Sequence, residues 1–496
     1  MNTTRREFLA ASAAAAALGP RRRSATAPLG ANDTIVAALL GAGRQGTYDM
    51  LDHIRQGNVE IAAVCDVYEP HLNRGLSQAR TQSQRLGLTA IPARGYHDYR
   101  HVLDRKDIDV IIVGSPDHWH PLMTIQACEA GKDVYVEKPI CVRVEEGHRM
   151  LAVARRTGRV VQVGTQQRSA SIFQKAVELV WAGQIGKVTF ARTWNYTNEY
   201  PLGIGNPPDT NPPAGLDWEM WQGPAPAHPF NWNRFGPSPE PLTHWPGYPP
   251  GRWSTFRYFW DYAGGWMTDW GVHLLDIVQW ALRAQGPGVI TASGGKYLLQ
   301  DNRETPDTLQ VTYEYRFPPY PYDASNIAEP GPTGRPAGPP VHHDHGCVVT
   351  YENRLCNANS MYGKSYGIEF HGTDGTLFVD RSGLKLIPEK RTPAMPNQYP
   401  TAFRSAPFTE AAAMGNVEGS HFRHVANFLE CVRTRQRPIS DIEIGMDSTT
   451  TCLLGNVAYR TGERLEWDSQ RRQLTRGSAA ARALLAAHYR APWKLG

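Results

Sequence analysis

The stretch "TIVAALLGAGRQGTYDM", residues 34 to 50, constrains this chain more than any other. An unalternating apolar run leads directly into Gly41, and Gly41, Gly43 and Gly46 follow at G-x-G-x-x-G spacing. Such a run predicts a strand buried on both faces, as in a parallel sheet covered by helices. Gly41 permits the tight turn, Gly43 lets the backbone approach a pyrophosphate, and Gly46 allows close helix–strand packing. The helix that opens here, with Arg44 and Gln45 in its first turn, offers its N–H groups to the anion. Asp66 lies twenty residues past Gly46, at the end of the next apolar run. A carboxylate there accepts hydrogen bonds from ribose hydroxyls and repels a 2′-phosphate, which favours NAD over NADP as the cofactor.

The pattern repeats. "VEIAAVCD", "IDVIIVGSP", "KDVYVEKP" and "RVVQVGTQ" read as further short strands. Helical stretches lie between them at 45–54, 70–86, 121–130 and 145–157. The fold class is therefore α/β, with an N-terminal doubly wound Rossmann domain over 31–165. After residue 166 the character changes. Fourteen prolines fall between 201 and 250, and ten of the fourteen tryptophans between 194 and 280. Period-two strands follow, "TLQVTYEYRF", "CVVTYENRL" and "YGIEFHGTDGTLFVD", with helices at 421–433 and 445–460. They predict an α+β domain with an open, mostly antiparallel sheet over 166–467, and 468–496 is expected as a C-terminal tail.

The net charge of +5 is small for 496 residues, and much of it comes from arginines near the N-terminus. That excludes a nucleic-acid binder. No apolar run reaches the ~20 residues of a membrane span. The seven cysteines are scattered without a CxxC pair, which argues for free thiols rather than a disulfide scaffold or zinc ribbon. "TTRREFLAASAAAAALG" places Arg5 and Arg6 before a short Ala-rich run. This resembles a twin-arginine export signal over 1–30 and predicts a periplasmic or extracytoplasmic location.

Ligands of doubly wound sheets bind outside the C-terminal strand ends. Two motifs lie at such ends: "GSPDHWH" (114–120) and "EKP" (137–139). Lys138 can reach into the crevice from there. Further on, "TDWGVHLLDIVQW" puts Asp269, His273, Asp276 and Trp280 within an arc of about 60° on one predicted helix. The other faces of that helix are apolar, so it is expected to be buried. Buried carboxylates must then meet hydrogen-bond partners, a cavity or a charge.

The glycine turn, Asp66, "GSPDHWH", "EKP" and the D-x-x-x-H of "TDWGVH" together resemble, in this order, the Gfo/Idh/MocA oxidoreductase family, named for glucose–fructose oxidoreductase and inositol dehydrogenase. The resemblance runs from about residue 34 to 467. It implies that Lys138, Asp269 and His273 are catalytic, that Glu137 lies near the nicotinamide ribose, and that Ser115 and His120 line the cofactor channel. It also implies a cis Lys138–Pro139 peptide, a carbohydrate-like substrate and homo-oligomers formed through the sheet domain. Hydride passes from a sugar carbinol carbon to NAD in this reading. His273 takes the hydroxyl proton with Lys138 assisting, and Asp269 orients substrate and lysine. Trp270 and Asp276 are further substrate contacts, with Asp276 alternatively orienting His273.

Export separates the enzyme from cytoplasmic NAD. A tightly retained cofactor, reoxidised by a second substrate or an acceptor partner, is therefore expected. Two other readings stand beside this one: a redox-neutral epimerase, lyase or glycosidase using bound NAD transiently, and a non-catalytic nucleotide-binding sensor. Retention of the EKP lysine, which redox-neutral glycosidases of the wider family replace, favours the dehydrogenase. No metal is expected; "VHHDHGC" (341–347) reads as a solvated loop, and the His421–His424 pair has no assigned role.

Overall fold

The computed structural model describes residues 34–88, 92–236, 254–316, 346–359, 363–389 and 419–496. Residues 1–30, expected as an export signal, and His342, His343 and His345 lie outside them.

The first sheet has six parallel strands: β1 (Ile35–Leu40), β2 (Val59–Cys65), β3 (Arg94–Tyr96), β4 (Val110–Val113), β5 (Asp133–Val136) and β6 (Val161–Val163). Their order is β3-β2-β1-β4-β5-β6, the doubly wound arrangement whose crevice opens where the order reverses, between β1 and β4. Four main helices cover the faces: α1 (Arg44–Arg55), α2 (Glu69–Arg85), α3 (His120–Glu129) and α4 (Val144–Thr157). Each begins and ends within a residue or two of its expected bounds. β3 is not foreseen because its three residues, two of them exposed, carry no apolar period.

The second sheet has nine strands in the order β13-β12-β11-β7-β10-β9-β8-β14-β15. In chain order they are β7 (Val188–Tyr196), β8 (Val289–Gly295), β9 (Thr308–Tyr315), β10 (Cys347–Arg354), β11 (Tyr366–Gly372), β12 (Gly375–Val379), β13 (Leu384–Pro388), β14 (Leu465–Asp468) and β15 (Gln473–Arg476). Every pairing is antiparallel except that of β10 with β7. The period-two pattern survives in burial. In β9, Leu309, Val311, Tyr313 and Tyr315 are buried, while Thr308, Gln310, Thr312 and Glu314 face outward. The covered face packs on α5 (Gly271–Leu282) and on α6 (Ile442–Thr461).

Two features depart from expectation. The segment 468–496 is no loose tail. β15 extends the sheet, and Trp493 packs edge-on against Trp119 at 4.9 Å. Helix α7 (Ser420–Thr434) leaves the second domain and packs Val425, Phe428 and Leu429 into the core under α1. The cysteines are all free, six of them buried.

Candidate active site

Gly41 has φ of +90°, and a Cβ there would stand 2.6 Å from the Ser115 backbone. A Cβ on Gly46 would stand 2.1 Å from the Gly41 carbonyl, so this glycine lets α1 press onto the turn. A Cβ on Gly43 would meet nothing within 4 Å. Gly43 faces a cavity of about 840 Å³ that runs from the turn to Lys138. Its wall includes Gly41, Gly43, Arg44, Gln45, Asp66, Ser115, His120, Glu137 and Lys138, nine of the ten residues expected at the cofactor and the lysine. The tenth, Gly46, lies beneath the turn.

Asp66 is fixed in place. Its Oδ2 accepts from the Ala42 N–H at 2.7 Å and its Oδ1 from the Tyr68 N–H at 2.9 Å. The Ser115 hydroxyl is buried with no partner among the described residues. The elements fit a dinucleotide: an open glycine cradle, a helix N-terminus, an anchored carboxylate at the ribose position and an unsatisfied hydroxyl on the channel. His120 is sealed between two carbonyls, of Pro139 at 2.7 Å and Ser115 at 2.8 Å, and burial pushes its imidazole down to about 4. The neutral ring has one N–H, so it donates to one of these carbonyls at a time.

At the far end of the cavity the Lys138–Pro139 peptide is cis. The Lys138 ammonium donates to Asp269 Oδ1 at 2.8 Å and to the Asp269 carbonyl at 3.0 Å. Arg257, in the short turn 255–258, donates through Nε to the same Oδ1 at 2.9 Å. Burial pushes the Asp269 carboxyl up, but the two cations outweigh it and hold it well below the usual carboxylate range. For Glu137 burial outweighs the pull of Lys138 and His421. Its Oε2 accepts the Lys138 N–H at 3.2 Å, its Oε1 has no partner among the described residues, and burial pushes it up to about 8.

The predicted single helix is in fact two. Asp269 ends a short helix (Gly265–Asp269), Trp270 caps it, and α5 begins at Gly271. Gly265, with φ of +67°, makes the turn that delivers the first of them. The break leaves the Asp269 carbonyl open to Lys138. His273 follows on α5, buried, with its Nδ1 unpartnered among the described residues. Burial, with Lys138 and Arg381 nearby, pushes its pKa well down, so the ring is neutral. Trp270 lies beside it, ring centroids 6.1 Å apart.

Asp276 requires a correction. It neither faces the cavity nor reaches His273. Its carboxylate is 1% exposed and pairs with Arg168 Nε at 2.8 Å, behind the site.

Three residues escaped the sequence reading. Asp117, inside the "GSPDHWH" motif, has a buried Oδ2 without a described partner and is pushed up by burial to about 7. Arg257 and Arg381 come from loops remote in sequence, and a lone arginine in a loop carries no periodic signal. His421 and His424 are structural. The His421 ring bridges Asp52 at 2.6 Å and Asp49 at 3.0 Å, which raises it to about 10, and so staples α7 to α1. His424 contacts the Val163 carbonyl and the Ser169 hydroxyl, both at 2.8 Å. Asp49, Glu137 and His421 approach one another closely enough for a metal ion, but the ring nitrogens of His421 are already spent on the aspartates.

A dinucleotide groove that ends on Lys138, itself held by Asp269 of an open-sheet domain, defines a two-domain, NAD-binding oxidoreductase. The comparisons make this specific. Residues 35–165 match the oxidoreductase family's NAD-binding Rossmann fold, and residues 171–293 and 415–495 match its C-terminal alpha/beta domain. The chain belongs to the Gfo/Idh/MocA family.

The inositol 2-dehydrogenase of Salmonella typhimurium (strain LT2) is 29% identical over 160 residues, 31% of this chain and 44% of that protein. A glycosyl hydrolase family 109 protein of Shewanella baltica (strain OS185) is 29% identical over 153 residues, 30% of this chain and 33% of that protein. The chain thus spans less than half the length of these curated relatives. Among solved structures, the Bordetella pertussis WlbA dehydrogenase in complex with NADH and UDP-GlcNAcA superposes with a TM-score of 0.57 at 16% identity, covering 88% of this chain and 99% of that one. A levoglucosan dehydrogenase in complex with NADH gives 0.54 at 16%, covering 86% and 96%.

Proposed function

We propose that this chain is an exported oxidoreductase that moves a hydride between a sugar or glycoside hydroxyl carbon and a retained NAD. The observation that carries the reading is the Lys138 ammonium, held 2.8 Å from Asp269 where the dinucleotide groove ends. NAD, when bound, supplies the hydride acceptor. Everything else is asked of the chain. Lys138 donates a hydrogen bond to the substrate hydroxyl oxygen, and Asp269 fixes the lysine's direction. His273, kept neutral by burial, takes the hydroxyl proton as the carbinol C–H is lost and the carbonyl forms. Inositol, levoglucosan and UDP-GlcNAcA, named for the relatives, are all polyhydroxylated rings, which supports the sugar class.

Retention of the cofactor has support in the Pro- and Trp-rich excursion. It crosses back over the first domain. The Asp217 N–H donates to the Val67 carbonyl at 3.0 Å, and the Glu69 N–H donates to the Gly215 carbonyl at 2.9 Å. Phe235 packs on Tyr68 at 5.4 Å and on His71 at 6.1 Å, beside Asp66. The C-terminus pins this strap: the Arg490 N–H donates to the Pro224 carbonyl at 3.0 Å and its side chain pairs with Glu219. Such a closure suits an enzyme that cycles its cofactor in place, through a second substrate or an acceptor partner.

Native mass spectrometry of protein purified from the periplasm tests both parts of the reading. A bound dinucleotide is expected. The export step is tested by changing Arg5 and Arg6 to Lys, which should leave the protein in the cytoplasm. Homo-oligomerisation through the outward face of the nine-stranded sheet belongs to the same proposal and is read by light scattering. The family 109 relatives favour a second reading, redox-neutral cleavage or epimerisation, which predicts product without net reduced cofactor.

A further inference from the structure

Three cations, Lys138, Arg257 and Arg381, converge on the wall around His273. Asp269 Oδ1 is shared by Lys138 and Arg257. A third cation stands close by. Arg381, at the end of β12, stacks over the Trp270 ring at 4.9 Å. Its Nε donates to Gln167 Oε1 at 3.2 Å, and Gln167 Nε2 in turn donates to the His273 carbonyl at 3.0 Å. One amide thus couples the guanidinium to the helix turn that carries the proposed base. Among the described residues Arg381 makes no ion pair with a carboxylate, although it is half-buried.

A half-buried guanidinium that pairs with no carboxylate is a favourable site for an anionic ligand. With Nε committed to Gln167, the two terminal nitrogens of Arg381 have no described partner. They form a planar two-donor edge that suits a carboxylate. We infer that the substrate is an acidic sugar, a uronate or a glycoside bearing one, whose carboxylate is bound by Arg381. This rests on the oxidoreductase reading for the site but not for the binding step.

The test uses the purified holoprotein and three probes: methyl glucoside, its glucuronate counterpart, and glucose 6-phosphate. Calorimetry gives affinity, and absorbance of the reduced cofactor gives turnover. The glucuronide should bind at least about tenfold more tightly than the glucoside, as a charge-assisted two-point contact implies. Arg381→Met should bring that ratio toward one, and Arg381→Lys should recover part of it. The ratio is internal to one sample, so partial misfolding of a variant does not mimic the effect. Equal affinities in the wild type, a ratio unchanged in Arg381→Met, or a preference for the phosphate each overturns the inference. Arg381-dependent glucuronide binding without any cofactor reduction sinks the oxidoreductase reading and leaves this one standing. Reduction by the neutral sugar alone does the reverse.

Discussion

Lys138 and Asp269 are joined twice, side chain to side chain at 2.8 Å and side chain to backbone at 3.0 Å, across 131 residues of sequence. The first contact sets charge and the second sets direction. An ammonium anchored at both oxygens has little freedom to leave the groove end. Lys138→Ala should therefore lower the rate of bound-cofactor reduction about 10²–10⁴-fold, the usual range for losing a positioned proton-transfer group. Stopped-flow absorbance measures it. Arg257 still neutralises Asp269 in that variant, so the melting temperature should change little.

Asp276 should behave differently. Removing one partner of a buried pair leaves a charge uncompensated, at a cost of about 3–5 kcal/mol. Asp276→Ala should unfold at markedly lower denaturant, with the folded fraction keeping most of its turnover. A variant of wild-type stability and no activity would return Asp276 to the active site.

Cofactor choice rests on Asp66. Asp66→Ser removes the charge that repels a 2′-phosphate and leaves Arg44 and Arg74 on the same cavity wall. The NAD-over-NADP affinity ratio should fall by about tenfold or more. Equilibrium dialysis of the stripped protein reads it.

Stability should fall on both sides of pH 6.5. His53, His118 and His120 are held near 4 and His424 near 3, by burial in each case. The unfolded chain takes up their protons below pH 6.5 and the folded chain does not. Each then removes about 1.4 kcal/mol per pH unit as the pH drops toward 4. His421 works in the opposite direction. Its folded pKa is raised to about 10 by Asp49 and Asp52 against the opposing pull of burial, so its contribution is full below 6.5 and is lost as pH climbs toward 10. Thermal melts across pH 4.5–10 should show both limbs, and His421→Gln should flatten the alkaline one.

Much of this was legible beforehand because it depends on short-range pattern. The glycine turn, Asp66 and the EKP lysine each sit at a strand end, and strand ends are visible as apolar runs meeting glycine or proline. The D-x-x-x-H pair was visible as a local four-residue spacing, although the break at Trp270 puts its two members on different helices. What stayed hidden is assembled by topology. Arg257 and Arg381 reach Asp269 and Trp270 from loops with no periodicity of their own. Asp276 shares His273's helical face, and only the position of Arg168 decides that it is a core residue. The docking of 468–496 was hidden for the same reason, since Trp493 has no local signal for its partner Trp119.

The central claim is that the chain holds NAD and reduces it in place through Lys138. The most direct measurement is anaerobic absorbance of the protein as purified, without added nucleotide, while neutral and acidic sugars are screened. The account predicts one equivalent of reduced cofactor per bound dinucleotide with at least one sugar, and none with Lys138→Ala. Native protein that carries no nucleotide, or a Lys138→Ala variant that reduces its cofactor at the wild-type rate, would contradict it.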